Sequence, residues 1–138
     1  MNVAKEFTWD AAHRLPWHEG KCASIHGHRY RMMVEIEGEP NKHGMVVDFA
    51  EIKKIIGGLV ADWDHATIVA ASDSVLKRFL EKEGQKYFVL PGDTTSENIA
   101  EYVCRWIRNN PIHGAKAVRV TVWETPTCYA SASMRFQS

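Results

Sequence analysis

Apolar and polar residues alternate at both ends of this chain, and this period of two most constrains its fold. At the N-terminus the alternation runs over residues 3–12 and again over 30–36. Near the C-terminus it runs over 118–124, and a return strand is expected over 129–136 after a turn. A period of two predicts half-buried β-strands whose successive side chains face opposite sides. The chain is therefore expected to begin and end with a pair of strands.

The middle of the chain repeats with the period of a helix instead. A capping box of Asp48 and Glu51 opens a first amphipathic segment. A shorter helix is expected over 73–83, a short extended piece over 87–90, and a second capping box within 94–97 opens a third helix. The order strand, strand, helices, strand, strand predicts the α+β class, with a four-stranded antiparallel sheet covered by helices on one face.

Length and composition limit the class of protein. With 138 residues the chain is expected to form a single domain over 1–138. Seventeen basic residues balance seventeen acidic ones, so no nucleic-acid or membrane partner is indicated. The three cysteines do not make a disulfide framework, and the N-terminus lacks an apolar signal core. A cytoplasmic protein is therefore expected.

Three of the four histidines within residues 13–28, namely His13, His26 and His28, are the strongest chemical signal. His26 and His28 are two residues apart, so in a strand both project from one face, about 6.6 Å apart along the chain. An antiparallel neighbour carrying His13 would place a third imidazole opposite them. Three neutral ligands without an obvious fourth are typical of an open, catalytic zinc site. The alternative is a polar turn with solvated imidazoles.

Cys22 lies four residues before His26 and allows three interpretations. Near a metal and an imidazolium, the pKa of its thiol would fall, which would make Cys22 an acid or base near neutral pH. It could instead be a fourth ligand that closes a structural Cys-His₃ site, or an inert core residue. Cys104 and Cys128 fit packing roles, and no function is assigned to them.

Two acidic positions complete the candidate site. Asp64 precedes His65 just after the first helix, where a carboxylate can orient an imidazole for proton transfer. Alternatively, Asp64 caps the next segment and His65 is solvated. Glu124 ends a valine-rich strand, and its carboxylate could accept two parallel hydrogen bonds from a planar N–H edge. The alternative for Glu124 is a solvated charge at a strand end.

Six motifs occur in order along the chain. They occupy residues 11–15, 18–30, 44–49, 64–65, 95–98 and 124–127. Together they resemble the family of 6-pyruvoyltetrahydropterin and 6-carboxytetrahydropterin synthases, over nearly the whole chain. The resemblance implies the tunnelling fold, in which ββ-αα-ββ subunits form a twelve-stranded barrel per trimer and two trimers stack into a homohexamer.

The resemblance also implies roles for single residues. It implies Zn²⁺ as the cofactor and 7,8-dihydroneopterin triphosphate as the substrate. The implied metal ligands are His13, His26 and His28. The implied catalytic residues are Cys22, Asp64 and His65, with Asp64 and His65 contributed across a subunit interface. The residues implied to bind the pterin ring are Glu124, Thr95 and Ser96.

Members of this family differ in the product that they form. The Gly-Lys-Cys run at 20–22 and the Glu-Thr-Pro-Thr run at 124–127 resemble the prokaryotic 6-carboxy-5,6,7,8-tetrahydropterin synthases of queuosine biosynthesis, which release acetaldehyde and triphosphate. The alternatives are the pyruvoyl-forming synthase and a non-catalytic member that binds pterin or metal. One departure concerns 66–69, where Ala-Thr-Ile-Val replaces the family's usual Leu-Asn after Asp-His.

Overall fold

The sheet contains the four predicted strands, the short extended piece predicted over 87–90, and one strand that was not predicted. The structure, a computed structural model, describes residues 1–137. Its elements run in the order β1 (Asn2–His13), a 3₁₀ helix (Lys21–Ala23), β2 (His26–Glu37), α1 (Phe49–Trp63), β3 (Ala66–Ala70), α2 (Ser74–Lys82), β4 (Tyr87–Leu90), α3 (Ser96–Asn109), β5 (Ala117–Thr125) and β6 (Cys128–Arg135). The α+β class is confirmed.

The prediction of a four-stranded antiparallel sheet is wrong in strand number and in direction. Six strands lie in the order β4-β3-β1-β2-β5-β6 within the described residues. The pairs β1–β2, β2–β5 and β5–β6 are antiparallel as predicted, whereas β3 runs parallel to β1 and β4 parallel to β3. β3 reads Ala-Thr-Ile-Val-Ala and is mostly buried, so it lacks the alternation that marks a half-exposed strand.

Two helices cover one face of the sheet, and the third packs on the other. The main core joins Ile52 of α1 and Ile99 of α3 to Val120 of the sheet. Ile68 of β3 belongs to this core, whereas Val69 packs against α2. Because adjacent strand residues face opposite sides, α2 lies opposite α1 and α3. The expectation of helices on one face is therefore correct for α1 and α3 only. Within residues 1–137, no helix is long and apolar enough to cross a bilayer.

The helices begin near their predicted caps, with two differences. The Asp48 carboxylate caps α1, but Glu51 accepts a hydrogen bond from the backbone N–H of His113 at 3.1 Å. Asp48 and Glu51 therefore do not form a capping box, because Glu51 ties α1 to the loop before β5. α3 begins one residue later than expected, with Thr95 as its N-cap. This shift leaves Thr94 available for contacts with the end of β1.

Alternation along the central strands sorts their side chains onto two faces. His13 lies opposite His26, and Ala11 lies opposite His28, on the side of α1 and α3. The other side of β1, β2 and β5 is here called the open face. Its side chains include Thr8, Asp10, Arg29, Arg31 and Trp123. The histidines of the candidate site therefore lie on the helix-covered side.

Candidate active site

The three histidines meet at one end of the sheet, on its helix-covered side. Ring centroids lie 4.7 Å apart for His13 and His26, 4.8 Å for His26 and His28, and 5.2 Å for His13 and His28. One ligand nitrogen from each ring lies within 4.8 Å of the other two. The predicted geometry, with His13 on an antiparallel neighbour facing the His26–His28 pair, is confirmed. The arrangement can hold a divalent cation.

Backbone carbonyl groups fix the orientation of two of these rings. His13 Nδ1 lies 2.8 Å from the carbonyl oxygen of Thr94, and His26 Nδ1 lies 2.6 Å from that of Ser24. A carbonyl only accepts, so each Nδ1 carries the proton and each neutral ring has its lone pair on Nε2. Metal-ligating histidines are held in this way in many proteins.

The inward-facing nitrogens have no hydrogen-bond partner. His13 Nε2 and His28 Nε2 are buried and unpartnered among the described residues. Buried polar atoms are rarely left without a partner, because each lost hydrogen bond carries a desolvation cost. Burial lowers the pKa of His28, and the Glu124 carboxylate opposes this effect only in part. The lowered pKa keeps the ring neutral. Neutral imidazoles with free lone pairs fit a metal ion, so the donor set agrees with the implied zinc.

Glu124 lies beside two of the three histidines. Its Oε1 is 3.3 Å from His13 Nε2 and 3.6 Å from His28 Nε2. The His13 contact, more than any other cause, lowers the pKa of Glu124, so the carboxylate is ionised. A true hydrogen bond would need a proton on His13 Nε2, although Nδ1 already carries the proton of the neutral ring. Either a second proton on His13 or a cation between the two atoms would make this contact favourable.

Two residues beside the histidines were not identified from the sequence. Thr94 is 1% exposed, and its Oγ1 lies 3.2 Å from His13 Nδ1 while donating to the carbonyl of Arg14 at 3.2 Å. Tyr30 is fully buried, its ring centroid is 5.5 Å from that of His28, and its hydroxyl has no hydrogen-bond partner within residues 1–137. Burial raises the pKa of Tyr30, so the hydroxyl remains a donor. Its spacing of two from His28 could have identified Tyr30.

The N-terminus of α3 lies beside the metal-capable cluster, because Thr94 joins it to His13. The Thr95 hydroxyl accepts a hydrogen bond from the backbone of Asn98 at 3.2 Å and so caps the helix. The Ser96 hydroxyl is buried and has no hydrogen-bond partner among the described residues. The Thr95 hydroxyl can therefore still donate a hydrogen bond to a ligand, and the Ser96 hydroxyl can both donate and accept one. Both predicted pterin-binding residues therefore lie near the histidines.

Cys22 lies in the 3₁₀ helix between the two histidine-bearing strands. It is a free, half-buried thiol, and its carbonyl accepts a hydrogen bond from Leu15 N at 2.8 Å. Among the described residues, the gathered ligand atoms are those of the three histidines, and the Cys22 sulfur is not one of them. This geometry favours the open three-histidine set over the alternative with a sulfur ligand.

Asp64 and His65 form a dyad at the end of α1. His65 Nδ1 lies 3.0 Å from Asp64 Oδ2, and the backbone N–H of Asp10 donates to Asp64 Oδ1 at 3.0 Å. The Asp10 hydrogen bond, followed by that of His65, lowers the pKa of Asp64. His65 adopts φ 60°, a conformation that a histidine rarely adopts and that is frequent at functional sites. The Lys86 ammonium donates to the carbonyls of Ala61 at 2.8 Å and Asp64 at 2.7 Å.

Within one chain, the dyad lines a depression that reaches one of the three histidines. His65 lines this shallow depression of about 420 Å³ together with Asp10, His28 and Arg29. Asp10 and Arg29 project from the open face, whereas the His28 side chain lies with His13 on the helix-covered face. The structure therefore gathers the three histidines, Glu124 and the start of α3, and it leaves the dyad of the same chain outside that cluster.

Comparison with known proteins agrees with the motifs. The family model described as 6-pyruvoyl tetrahydropterin synthase matches residues 2–134. The 6-carboxy-5,6,7,8-tetrahydropterin synthase of Haemophilus influenzae is 36% identical over 137 residues, covering 94% of this chain and 96% of that protein. The protein of the same name from Rickettsia bellii is 33% identical over 134 residues, with 94% and 97% coverage.

Solved structures share the fold. The 6-pyruvoyltetrahydropterin synthase of Plasmodium vivax, a catalytic-residue mutant, superposes with a TM-score of 0.75 at 19% identity, covering 99% of this chain and 98% of that one. The 6-pyruvoyl tetrahydropterin synthase of Caenorhabditis elegans gives 0.67 at 25% identity, with 99% and 96% coverage. The motifs, the strand register and these matches agree, and the chain belongs to the 6-pyruvoyl tetrahydropterin synthase family.

Proposed function

We propose that this protein is a zinc-dependent lyase that converts 7,8-dihydroneopterin triphosphate to 6-carboxy-5,6,7,8-tetrahydropterin, releasing acetaldehyde and triphosphate, in queuosine biosynthesis. The observation that carries the proposal is the convergence of three neutral imidazoles beside an ionised carboxylate. The relatives from Haemophilus influenzae and Rickettsia bellii, which bear the carboxy-forming name, support this product.

His13, His26 and His28 would hold the metal. Bound there, a divalent ion would supply Lewis-acid polarisation of the substrate's side-chain oxygens, which acidifies the adjacent C–H groups. Three imidazoles also accept Co²⁺, Ni²⁺ or Fe²⁺, so the choice of Zn²⁺ rests on the resemblance. The carbonyls of Thr94 and Ser24 would keep two of the rings in the ligating tautomer.

Protons would be moved by Cys22 and by the Asp64–His65 dyad. The Cys22 thiolate would take a proton from a side-chain carbon of the substrate, and His65, oriented by Asp64, would exchange a second proton. The resemblance implies that this dyad serves the centre of a neighbouring chain. This arrangement supports the proposed homohexamer, a dimer of trimers, in which each site combines residues of different subunits.

The pterin ring would be held by Glu124 with Thr95 and Ser96. A carboxylate accepts two parallel hydrogen bonds from a guanidine-like N–H edge, which selects such a ring. The unpartnered Ser96 hydroxyl and the free O–H of Thr95 could contact the other polar atoms of the ring. All three lie on the same side of the sheet as the metal-capable histidines.

The cellular setting is proposed on simpler grounds. All three cysteines are free thiols, which fits a reducing cytoplasm. The balanced charge gives no reason to expect a nucleic-acid or membrane partner, so the proposed partners are the pterin substrate and other copies of the chain. The single domain over 1–138 stays a prediction.

A second product is favoured by other names among the similar proteins. The family description and the Caenorhabditis elegans structure both carry the 6-pyruvoyl name. In that alternative the enzyme eliminates triphosphate and leaves the side chain intact as a pyruvoyl group. A third possibility is a member that binds pterin and metal without turnover.

One measurement separates these possibilities. The zinc-loaded protein is incubated with dihydroneopterin triphosphate, and the products are identified by mass. The carboxy product with acetaldehyde is expected; a pyruvoyl product would establish the second reading, and unchanged substrate the third.

The Cys22→Ala variant tests the proton-transfer role in the same assay. We expect it to retain zinc and the native assembly but to lose about 10²–10⁴-fold in turnover, as for other general acids and bases. Cys128→Ala, at an exposed thiol, is the matched control and should keep full activity. Unchanged turnover in Cys22→Ala would remove the assigned role.

A further inference from the structure

Glu124 approaches the histidines at the spacing of a ligand. Donors that lie 2.0–2.1 Å from a tetrahedral zinc ion are about 3.3 Å from one another. Glu124 Oε1 is 3.3 Å from His13 Nε2 and 3.6 Å from His28 Nε2. It therefore has the spacing of a fourth donor to two of the three imidazoles, although among the described residues only the three histidines have ligand atoms that all lie within 4.8 Å of one another.

Electrostatics gives the same indication. The Thr94 carbonyl fixes the proton of a neutral His13 on Nδ1, so Nε2 directs a lone pair toward the Glu124 carboxylate. Two acceptors in contact in a buried site repel each other unless a cation lies between them.

The backbone at Glu124 gives its side chain access to two environments. A register shift between Trp123 and Thr125 places a β-bulge at Glu124, and bulges re-aim side chains near active sites. The side chain is 29% exposed. Glu124 also borders a cavity of about 450 Å³ with His28, Arg31 and Trp123. A rotation about its side-chain bonds toward this cavity would carry the carboxylate away from His13, which does not line it.

We propose that Glu124 is the fourth ligand of the metal in the substrate-free protein and leaves it when the pterin ring binds. This inference rests on the proposed metal centre and on the proposed pterin site. The metal–carboxylate bond breaks, the carboxylate remains ionised and accepts the N–H groups of the ring, and a hydroxyl oxygen of the substrate takes the vacated position. Recognition of the ring thus opens the metal to the side chain that is to react.

This exchange would make specificity depend on both halves of the substrate. A molecule with a hydroxylated tail but no guanidine-like edge would meet a closed metal. A ring without a tail would open the metal but offer it no oxygen. A small ligand of the metal would also compete poorly with the resident carboxylate until a pterin is present.

The test uses the full-length protein loaded with Co²⁺, whose visible spectrum reports coordination. The probe is pterin itself, a ring that lacks the hydroxylated side chain. In the wild type, pterin should change the cobalt spectrum by releasing Glu124. In Glu124→Gln the spectrum should already differ without pterin and should not respond to it. The matched control is Glu83→Gln, which removes the same charge at an exposed helix end and should behave as wild type.

A second variant separates ligation from charge. Glu124→Asp keeps the charge but shortens the side chain by one methylene, so it should withdraw the oxygen from the metal. Ligation predicts that both Glu124→Asp and Glu124→Gln lose about 10–100-fold in Zn²⁺ affinity, measured by competition with a chelator. Full affinity in Glu124→Asp would show that only charge matters, and the inference would be overturned.

The failure of this inference and the failure of the proposed function are distinguishable. If the wild type binds one metal per chain and binds pterin without any change of the cobalt spectrum, the ligand exchange is wrong and the metal centre stands. If it binds neither metal nor pterin, the proposed function itself fails.

Discussion

At the scale of single residues, the candidate site depends on how each imidazole is oriented. The ligating tautomer of His13 is set by Thr94, a residue on a distant loop that contacts the ring through both its carbonyl and its hydroxyl. The same hydroxyl donates to the carbonyl of Arg14, so it ties the end of β1 to the start of α3. The orientation of the His13 ring therefore depends on Thr94, which is not one of the proposed metal ligands.

The Thr94 hydroxyl can be tested without disturbing its carbonyl. We expect Thr94→Val, which keeps the shape of the side chain, to weaken Zn²⁺ binding roughly tenfold, as loss of an outer-shell partner typically does. Thr94→Ser should restore the affinity, and Thr8→Val on the open face is the control. Affinities are measured by chelator competition. An unaffected Thr94→Val variant would mean that the carbonyl alone holds His13.

At the scale of elements, the ends of helices and strands bring distant groups together. Asp73 caps α2 and also receives two hydrogen bonds of 2.7 Å from the Arg14 guanidinium, one residue after His13. Asp64 ends α1 and is held by Asp10 of β1. Both junctions attach the end of a helix to β1, the strand that carries His13, or to the residue that follows it.

The Asp73–Arg14 pair predicts a dependence of stability on pH. The Arg14 hydrogen bonds lower the pKa of Asp73, so its ionised form stabilises the folded state above the unfolded pKa of about 3.9. This contribution is lost as the pH falls through the lower folded pKa. Asp73→Asn should cost about 1.5–3 kcal/mol near neutral pH. The difference from wild type should shrink as the pH falls through the lowered folded pKa of Asp73.

Urea unfolding of the metal-free protein, from neutral to acidic pH at fixed protein concentration, measures this effect. Asp62→Asn, at an exposed position of α1, serves as the control and should not change the pH profile. A difference between Asp73→Asn and wild type that stays constant with pH would contradict the assignment of the ion pair.

Lys86 predicts an effect on catalysis rather than on metal binding. Its ammonium holds the carbonyls at the end of α1, next to the left-handed His65. Lys86→Met should misplace the dyad and lower turnover roughly tenfold or more, since small displacements of catalytic groups are costly. Zn²⁺ affinity should be unchanged, and Lys86→Arg should recover part of the activity. The control is Lys42→Met in an exposed loop. A parallel loss of metal would contradict the positioning role.

At the scale of the whole molecule, the proposed site would combine residues of two chains. The dyad of one chain lies outside the cluster of its own three histidines, and the open face carries exposed arginines and a Trp123 ring with Arg31 stacked 3.8 Å from its centroid. A sheet with two free edges and one open face commonly associates with further copies. The proposed hexamer would place the dyad of one chain beside the histidines of the next.

Complementation between inactive variants tests this shared site. Cys22→Ala and His65→Ala are each expected to be inactive. When the two variants are refolded together in equal amounts, about a quarter of the sites should combine an intact Cys22 from one chain with an intact His65 from its neighbour. The mixture should therefore regain about a quarter of wild-type activity. Sedimentation of the same sample should give the mass of a hexamer. No recovery in a mixed hexamer would mean that each site belongs to one chain.

The sequence by itself determined the local elements and the geometry of the three histidines. Alternation predicted β1, β2 and β5, because each has one face more buried than the other, and the turn after Glu124 predicted β6 as the return strand. The spacing of His26 and His28, with His13 on the neighbouring strand, predicted their convergence, because side chains two apart in a strand share a face.

Only the tertiary structure decided what lies between and around these elements. β3 carries no alternation because both of its faces are buried, so it became visible only when α1 and α2 packed on opposite sides. Thr94 and Lys86 act on groups that are distant in the chain, and such pairings leave no local pattern. The position of Glu124 against the histidines likewise depends on strand register and a bulge, which are set by packing of the whole sheet.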